Sequence, residues 1–176
     1  MRNETINAEM LTHVPLCTHA QPKDVLVLGR HDFINIEIAR HLGLHVRLCE
    51  NFTCIEEAKD ASIDVVIINS DRFCEATNVA QINRVLRKDG LVVVKSDEKL
   101  KQNMSLFDNL FGVVMTYTYE GKRAILASKK YHPTADIILQ RADLIDGLNY
   151  YNAQLHLASF ALPTFMKNEL LGVQKN

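Results

Sequence analysis

Four short apolar runs limit this chain more than any other feature. They are Val25-Leu26-Val27-Leu28, the alternating His45–Cys49, Val65–Ile68 and Leu91–Val94. The three continuous runs read as strands buried on both faces of a parallel sheet, and the alternating His45–Cys49 as a short second strand. Between them the period changes. Phe33, Ile34, Ile36, Ile38, Ala39 and Leu42 recur at roughly helical spacing, with Asp32 as the N-cap and Gly43 closing the helix. Val79, Ile82, Val85 and Leu86 fall on one side of a predicted helix over 76–86, and Arg87-Lys88-Asp89-Gly90 reads as the turn into the next strand. A further helix is predicted over 100–111, and 112–119 with 123–128 form a hairpin about Glu120-Gly121. Strand–helix alternation implies right-handed crossovers. The expected fold class is α/β: a Rossmann-like, methyltransferase-type, mostly parallel sheet with helices on both faces and an antiparallel C-terminal hairpin.

The 176 residues suit a single domain over 1–176. Its expected parts are a lead-in segment 1–22, a sheet core 23–130 and a C-terminal arm and helix 131–176, of which 131–149 reads as a linker and partly extended arm. The stretch 51–63 has only 13 residues, too few for the helix, strand and loop a full nucleotide-binding half carries there. One βα unit is therefore expected to be trimmed.

Lys and Arg number 20 against 21 Asp and Glu, so no basic excess points to nucleic acid or an anionic membrane. The apolar runs are too short to span a bilayer and the first residues lack a signal-peptide core, so a cytoplasmic protein is expected. Cys17, Cys49, Cys54 and Cys74 are irregularly spaced with no C-x-x-C pair. They are expected to be reduced thiols, and no metal site is expected. The seven histidines show no metal-binding spacing.

Three strand ends carry the chemistry. Gly29 opens the turn after the first strand, where a nucleotide site needs a permissive backbone and a helix N-terminus. Asp32 follows, as a helix cap or a ligand contact. Glu50 ends the second strand 21 positions after Gly29, the usual place for an acid that accepts hydrogen bonds from ribose hydroxyls. Asn69-Ser70-Asp71-Arg72 ends the third, as a turn or as a polar cluster facing a ligand.

Two segments identify a family. Tyr150-Tyr151-Asn152 through His156 to Phe160-Ala161-Leu162-Pro163 resembles the closing segment of the polyamine aminopropyltransferases, the spermidine synthase family. Glu9-Met10-Leu11-Thr12-His13-Val14-Pro15-Leu16 through Lys23-Asp24-Val25-Leu26-Val27-Leu28-Gly29 resembles that family's approach to its first Rossmann strand. The likeness covers roughly 9–171. The active-site stretches depart from it. The family's glycine-rich turn stands here as Gly29-Arg30-His31-Asp32-Phe33, its V-E-I-D as Leu48-Cys49-Glu50-Asn51, and its D-S-x-D-P as Asn69-Ser70-Asp71-Arg72.

The resemblance implies transfer of an aminopropyl group from decarboxylated S-adenosylmethionine to putrescine, the donor being a co-substrate, with no cofactor. It puts Gly29, Asp32, Glu50, Asn69 and Ser70 at the donor. Asn69 stands where the family's base belongs, which leaves Asp71 as the expected catalytic base. Asn7 and Ala8 correspond to the family's amine-side residues, and Tyr150 and Tyr151 are expected to line the diamine site through their aromatic faces. The family's N-terminal β-domain is expected to be absent, making this a truncated and divergent member, and a homodimer is possible. Two other classes stay open: a non-catalytic nucleoside sensor or partner subunit, and a methyltransferase using intact S-adenosylmethionine.

Overall fold

The structure is a computed structural model that describes residues 2–176. Its centre is a six-stranded sheet in the order β2-β1-β3-β4-β6-β5. The strands are β1 (Asp24–Leu28), β2 (His45–Cys49), β3 (Ile63–Ile68), β4 (Leu86–Lys95), β5 (Val113–Tyr119) and β6 (Lys122–Ser128). β1 to β4 pair in parallel, and the β5–β6 hairpin joins antiparallel to β4 through β6. The hairpin turns at Glu120 and Gly121 with φ of 46° and 72°. Positive φ at both central residues is the turn that follows the strands' own twist.

Alternate side chains of the strands enter two separate cores. Val25, Val27, Val65, Ile67, Leu91 and Val93 face one layer. It contains α1 (Arg2–Thr18), α2 (Asp32–Ile38), α6 (Leu139–Asp143) and α7 (Ala153–Ser159). Leu26, Leu28, Val66, Ile68, Val92 and Val94 face the other. That layer contains α3 (Thr53–Glu57), α4 (Ala76–Val85), α5 (Leu100–Phe107) and α8 (Thr164–Glu169). The three-layer α/β fold expected from the alternation is the fold observed. No helix among the described residues is long and apolar enough to cross a membrane.

Several local expectations are corrected. The lead-in segment is the helix α1, buried from Ile6 to Thr18 and carrying Pro15 inside it. A helix buried all round shows no amphipathic stripe to read. Asp32 is the first residue of α2 and not its cap. His31 takes the cap position, without a side-chain cap bond. α2 ends at Ile38, short of Gly43, because Leu42 is 95% exposed and contributes nothing to the core. Residues 86–90 belong to β4, which begins directly after α4, and its pairing with β3 shifts register between Ile63 and Val65. The arm 131–149 contains α6, anchored where Arg141 donates to the carbonyls of Leu16, His19 and Ala20. The helix predicted to reach 111 stops at Phe107. Cys49 and Cys54 form a disulfide, leaving Cys17 and Cys74 as thiols.

Candidate functional site

Leu28, Cys49 and Ile68 lie in register across β2, β1 and β3. The residues that follow them, Gly29, Glu50 and Asn69, therefore form a row along the C-terminal rim of the sheet. Two backbone bonds hold the row. The Gly29 N–H donates to the Cys49 carbonyl at 2.9 Å, and the Asn69 N–H to the Leu28 carbonyl at 3.0 Å. β1 sits between β2 on one side and β3 on the other, so its end is where crossovers diverge and where ligands settle in open α/β sheets. Gly29 has φ of 97°, and a Cβ there would sit 3.7 Å from the Asn69 carbonyl oxygen. Conformation, rather than space, selects glycine at this position.

Two clefts meet at this rim. One, of about 440 Å³, is lined by Gly29, His31, Glu50, Ser70 and Arg72 together with Arg30, Asp32 and Asn69. That volume suits a small molecule. The second, of about 210 Å³, is lined by Asn7, Ala8, Lys95 and Lys122 among others, and it shares Arg30, Asp32 and Asn69 with the first. The structure thus brings together the five residues assigned to the donor, and it puts Asn7 and Ala8 on the neighbouring cleft. Asp71, Tyr150 and Tyr151 line neither.

Asn69 stands on the boundary, and each polar atom of its amide makes one bond. Its Oδ1 accepts from Asn7 Nδ2 at 3.0 Å and its Nδ2 donates to the Arg30 carbonyl at 2.8 Å. Asn7 in turn accepts from the Tyr119 hydroxyl at 2.9 Å. This chain of bonds ties α1, the end of β3, the β1 turn and β5 together. Burial pushes the Tyr119 hydroxyl well above its ordinary range, and the nearby Asp97 and Tyr150 act the same way. It therefore stays protonated and donates to Asn7. Sequence reading missed Tyr119, because the bond spans 112 positions and no local motif marks it.

Asp71 opens a single 3₁₀ turn, Asp71–Phe73, whose start is fixed by the Ser70 hydroxyl accepting from the Arg72 N–H at 3.2 Å. Arg72 reaches back to the Glu50 carbonyl at 3.1 Å and lies 4.5 Å over the Phe73 ring. Tyr150 is half-buried, and burial, aided by the charge on Glu120, pushes its hydroxyl up. Tyr151 is 3% exposed and bonds His156 Nδ1 at 2.8 Å, while His156 Nε2 meets the Pro133 carbonyl at 2.9 Å. Those two side chains hold the tail together inside the core.

Among the described residues, one group of side chains is spaced as metal ligands are: His19, Asp64 and Asp89. It lies by the N-terminal ends of β1 and β3. The Asp64 carboxylate accepts from the Lys23 and Asp24 N–H groups and pairs with Arg87 at 2.7 Å. Those bonds spend it on joining β1, β3 and β4.

The sequence profile of the spermine/spermidine synthase domain matches residues 4–72, which include most of α1 and all three strand ends of the site. The polyamine aminopropyltransferase of Helicobacter acinonychis is 25% identical over 90% of this chain and 74% of its own length. That of Caldicellulosiruptor bescii is 28% identical over 90% of this chain and 75% of its own. The crystal structure of spermidine synthase from Thermotoga maritima superposes with a TM-score of 0.83, at 25% identity, over 95% of this chain and 74% of that one. The chain is thus similar to the spermine/spermidine synthases in sequence over 4–72 and in fold over nearly its whole length. Relative to these proteins it is internally shortened. The Helicobacter alignment runs over 198 positions but spans 90% of 176 residues, about 158, so about 40 aligned positions have no counterpart here.

Proposed function

We propose that this chain is a polyamine aminopropyltransferase that holds decarboxylated S-adenosylmethionine in the larger cleft and transfers its aminopropyl group to a diamine, putrescine, approaching through the smaller one. The observation that carries the reading is the in-register row Gly29, Glu50 and Asn69 at the rim, opening onto a cleft of about 440 Å³. Glu50 accepts hydrogen bonds from the ribose hydroxyls. Gly29 lets the backbone approach the nucleoside, and Ser70 flanks it.

The reaction is a direct displacement. The amine lone pair attacks the carbon bonded to the sulfonium, the C–S bond breaks, and its electrons leave sulfur neutral in methylthioadenosine. The attacking nitrogen must first lose a proton to a placed acceptor. Asp32 is a carboxylate shared by both clefts, so it takes that role in this proposal. Asp71 can serve only if the 3₁₀ turn opens. Alignment of donor and amine supplies most of the rate enhancement, and the proposal needs no metal or redox cofactor.

A second reading, a nucleoside-binding relative without catalysis, is favoured by one observation: both polar atoms of the Asn69 amide are used in structural bonds. One experiment tests both readings. In a thermal-shift titration, methylthioadenosine and decarboxylated S-adenosylmethionine at about 100 times Kd should each stabilise the fold by about 2.7 kcal/mol, with intact S-adenosylmethionine giving less. No shift with any of the three overturns the donor assignment. Where the donor binds, incubation with putrescine follows. Spermidine formation supports the transferase, and its absence supports the binding-only relative.

A further inference from the structure

We infer that Cys49 and Cys54 form a redox-modifiable pair that sets the affinity of the larger cleft for its nucleoside; the inference rests on the reading of Glu50 as the ribose acceptor. The two cysteines bracket that acid. Cys49 is the last residue of β2, Cys54 is the second residue of α3, and Glu50 is the first residue of the loop their disulfide closes. Cys49 is 2% exposed and cannot shift without disturbing β2, whereas Cys54 is partly exposed and within reach of a reagent.

The closed loop also carries the other wall of the cleft. The Glu50 carbonyl accepts from Arg72 Nη2 at 3.1 Å, and Phe52 stacks on Phe73 with ring centroids 6.1 Å apart. Arg72 and Ser70 line the same cleft as Glu50. Holding Phe52 and Glu50 in place therefore holds the segment 70–73 in place as well. Asn51 and Thr53 are exposed, and the bond from the Thr53 N–H to Asn51 Oδ1 is local to the loop. The disulfide is the covalent constraint on these four residues. Without it, binding a ribose must first order them, at a free-energy cost set by the backbone freedom they regain.

The redox step is thiol–disulfide exchange with a dithiol reductant. One thiolate of the dithiol attacks Cys54 Sγ, the Cys49–Cys54 bond breaks, and Cys49 leaves as a thiolate and takes a proton. The second thiolate of the reductant then attacks the mixed disulfide, releasing Cys54 as a thiol and the reductant as its own disulfide. Two electrons and two protons end on the two cysteines. In reducing compartments protein disulfides are chiefly transient and redox-sensing, which suits a bridge at a ligand-binding edge better than one buried in a core.

The test measures methylthioadenosine binding by calorimetry on the air-oxidised chain, on the same sample after dithiothreitol, and on Cys54→Ser in both buffers. Alkylation and mass spectrometry establish the state of each sample. The expected result is a Kd about tenfold higher after reduction, restored by reoxidation, and a Cys54→Ser variant fixed at the weaker value in either buffer. Equal Kd values for verified oxidised and reduced protein overturn the inference, as does an air-oxidised sample in which both cysteines alkylate. Hydrogen exchange of 50–53 provides a second readout that needs no ligand. If methylthioadenosine binds neither form but this loop exchanges faster on reduction, the donor assignment of the cleft falls and the bridge's control of the loop stands. If exchange is unchanged, the inference itself falls. Should Cys54→Ser fail to fold, the reduced and alkylated wild type takes its place.

Discussion

The Glu9 carboxylate accepts the backbone N–H groups of Tyr150 and Tyr151 at 2.9 and 2.8 Å. It also takes that of Asn149 at 2.9 Å. The two segments that carry the resemblance to the aminopropyltransferases thus meet at one buried side chain, 0% exposed. An acid in the middle of a buried helix is explained by the tail it captures, since a buried carboxylate persists where its lone pairs are filled. Glu9→Ala removes the acceptor and strands the buried Tyr151 N–H. We expect a loss of about 3 kcal/mol in urea unfolding, with the tail more sensitive to protease than the sheet. Glu9→Gln keeps one acceptor oxygen and should lose less. Equal stability of Glu9→Ala and wild type would contradict the latch.

Replacing Asn69 by aspartate, the residue the aminopropyltransferase resemblance leads one to expect there, should not be benign. In Asn69→Asp the group facing the Arg30 carbonyl changes from donor to acceptor, replacing the 2.8 Å bond by repulsion between two oxygens. The bond from Asn7 survives, because Oδ1 is its acceptor. A destabilisation of about 1–3 kcal/mol is expected by chemical denaturation. An unchanged midpoint would show that the bond from Asn69 to the Arg30 carbonyl contributes nothing.

Glu50 yields a binding prediction. If its carboxylate takes the ribose hydroxyls, Glu50→Ala should weaken methylthioadenosine by about 1.5–3 kcal/mol, which is 10- to 100-fold or slightly more in Kd. Glu50 is exposed, so the melting temperature without ligand should stay close to wild type. Unaltered affinity would sink the ribose assignment.

Stability should fall in acid over a definite window. Burial drives the His156 ring down to about 4, the Pro133 carbonyl opposing it, and drives His41 down to about 3 with help from His13. Unfolded histidines protonate near 6.5. Between that pH and the folded values the unfolded chain binds more protons than the folded one, so stability present above about 6.5 is lost as pH falls. For His156 alone the loss is of order 3 kcal/mol by pH ~4. Glu37 adds to it lower down. Burial acts to raise its carboxyl, but hydrogen bonds from His13 and Arg40 outweigh it and hold the group below its ordinary value. Urea midpoints for wild type should therefore drop steadily from pH 7 to 4.5, and His156→Gln should show a shallower slope whatever it costs at neutral pH. Parallel slopes would refute the assignment.

The frame was legible in the sequence because it repeats a local rule. Val25 to Leu28, Val65 to Ile68 and Leu91 to Val94 are apolar on both faces, and each of those sheet faces is covered. The rim was legible for a related reason: Gly29, Glu50 and Asn69 each follow the last residue of a parallel strand, so equal strand ends align them without further information. What stayed hidden depends on distance in the chain. α1 has no polar face to set its period, and its partners Glu37, Tyr119 and Tyr150 come from elsewhere. The Cys49–Cys54 bridge was hidden too, since a spacing of five fits no metal or disulfide signature until β2 and α3 turn the two residues toward each other. Tyr151 read as a ligand contact because an aromatic ring beside a chain end says nothing of its burial.

The hairpin turn offers a stabilising substitution that touches neither cleft. Glu120 sits at φ 46° beside Gly121 at φ 72°, the backbone that favours Asn-Gly. A side chain such as glutamate is strained there, whereas asparagine visits the left-handed region readily. Gly121 has open space where a Cβ would lie, so the turn is not crowded. Glu120→Asn should therefore raise stability by about 0.5–1 kcal/mol. The same change removes a carboxylate whose charge helps push the Tyr150 hydroxyl up. The Tyr150 titration should accordingly move back toward its ordinary value in ultraviolet difference spectra. A gain in stability without that movement would mean that backbone relief acts alone, and a loss of stability would show that Glu120 makes a contact worth more than the strain it carries.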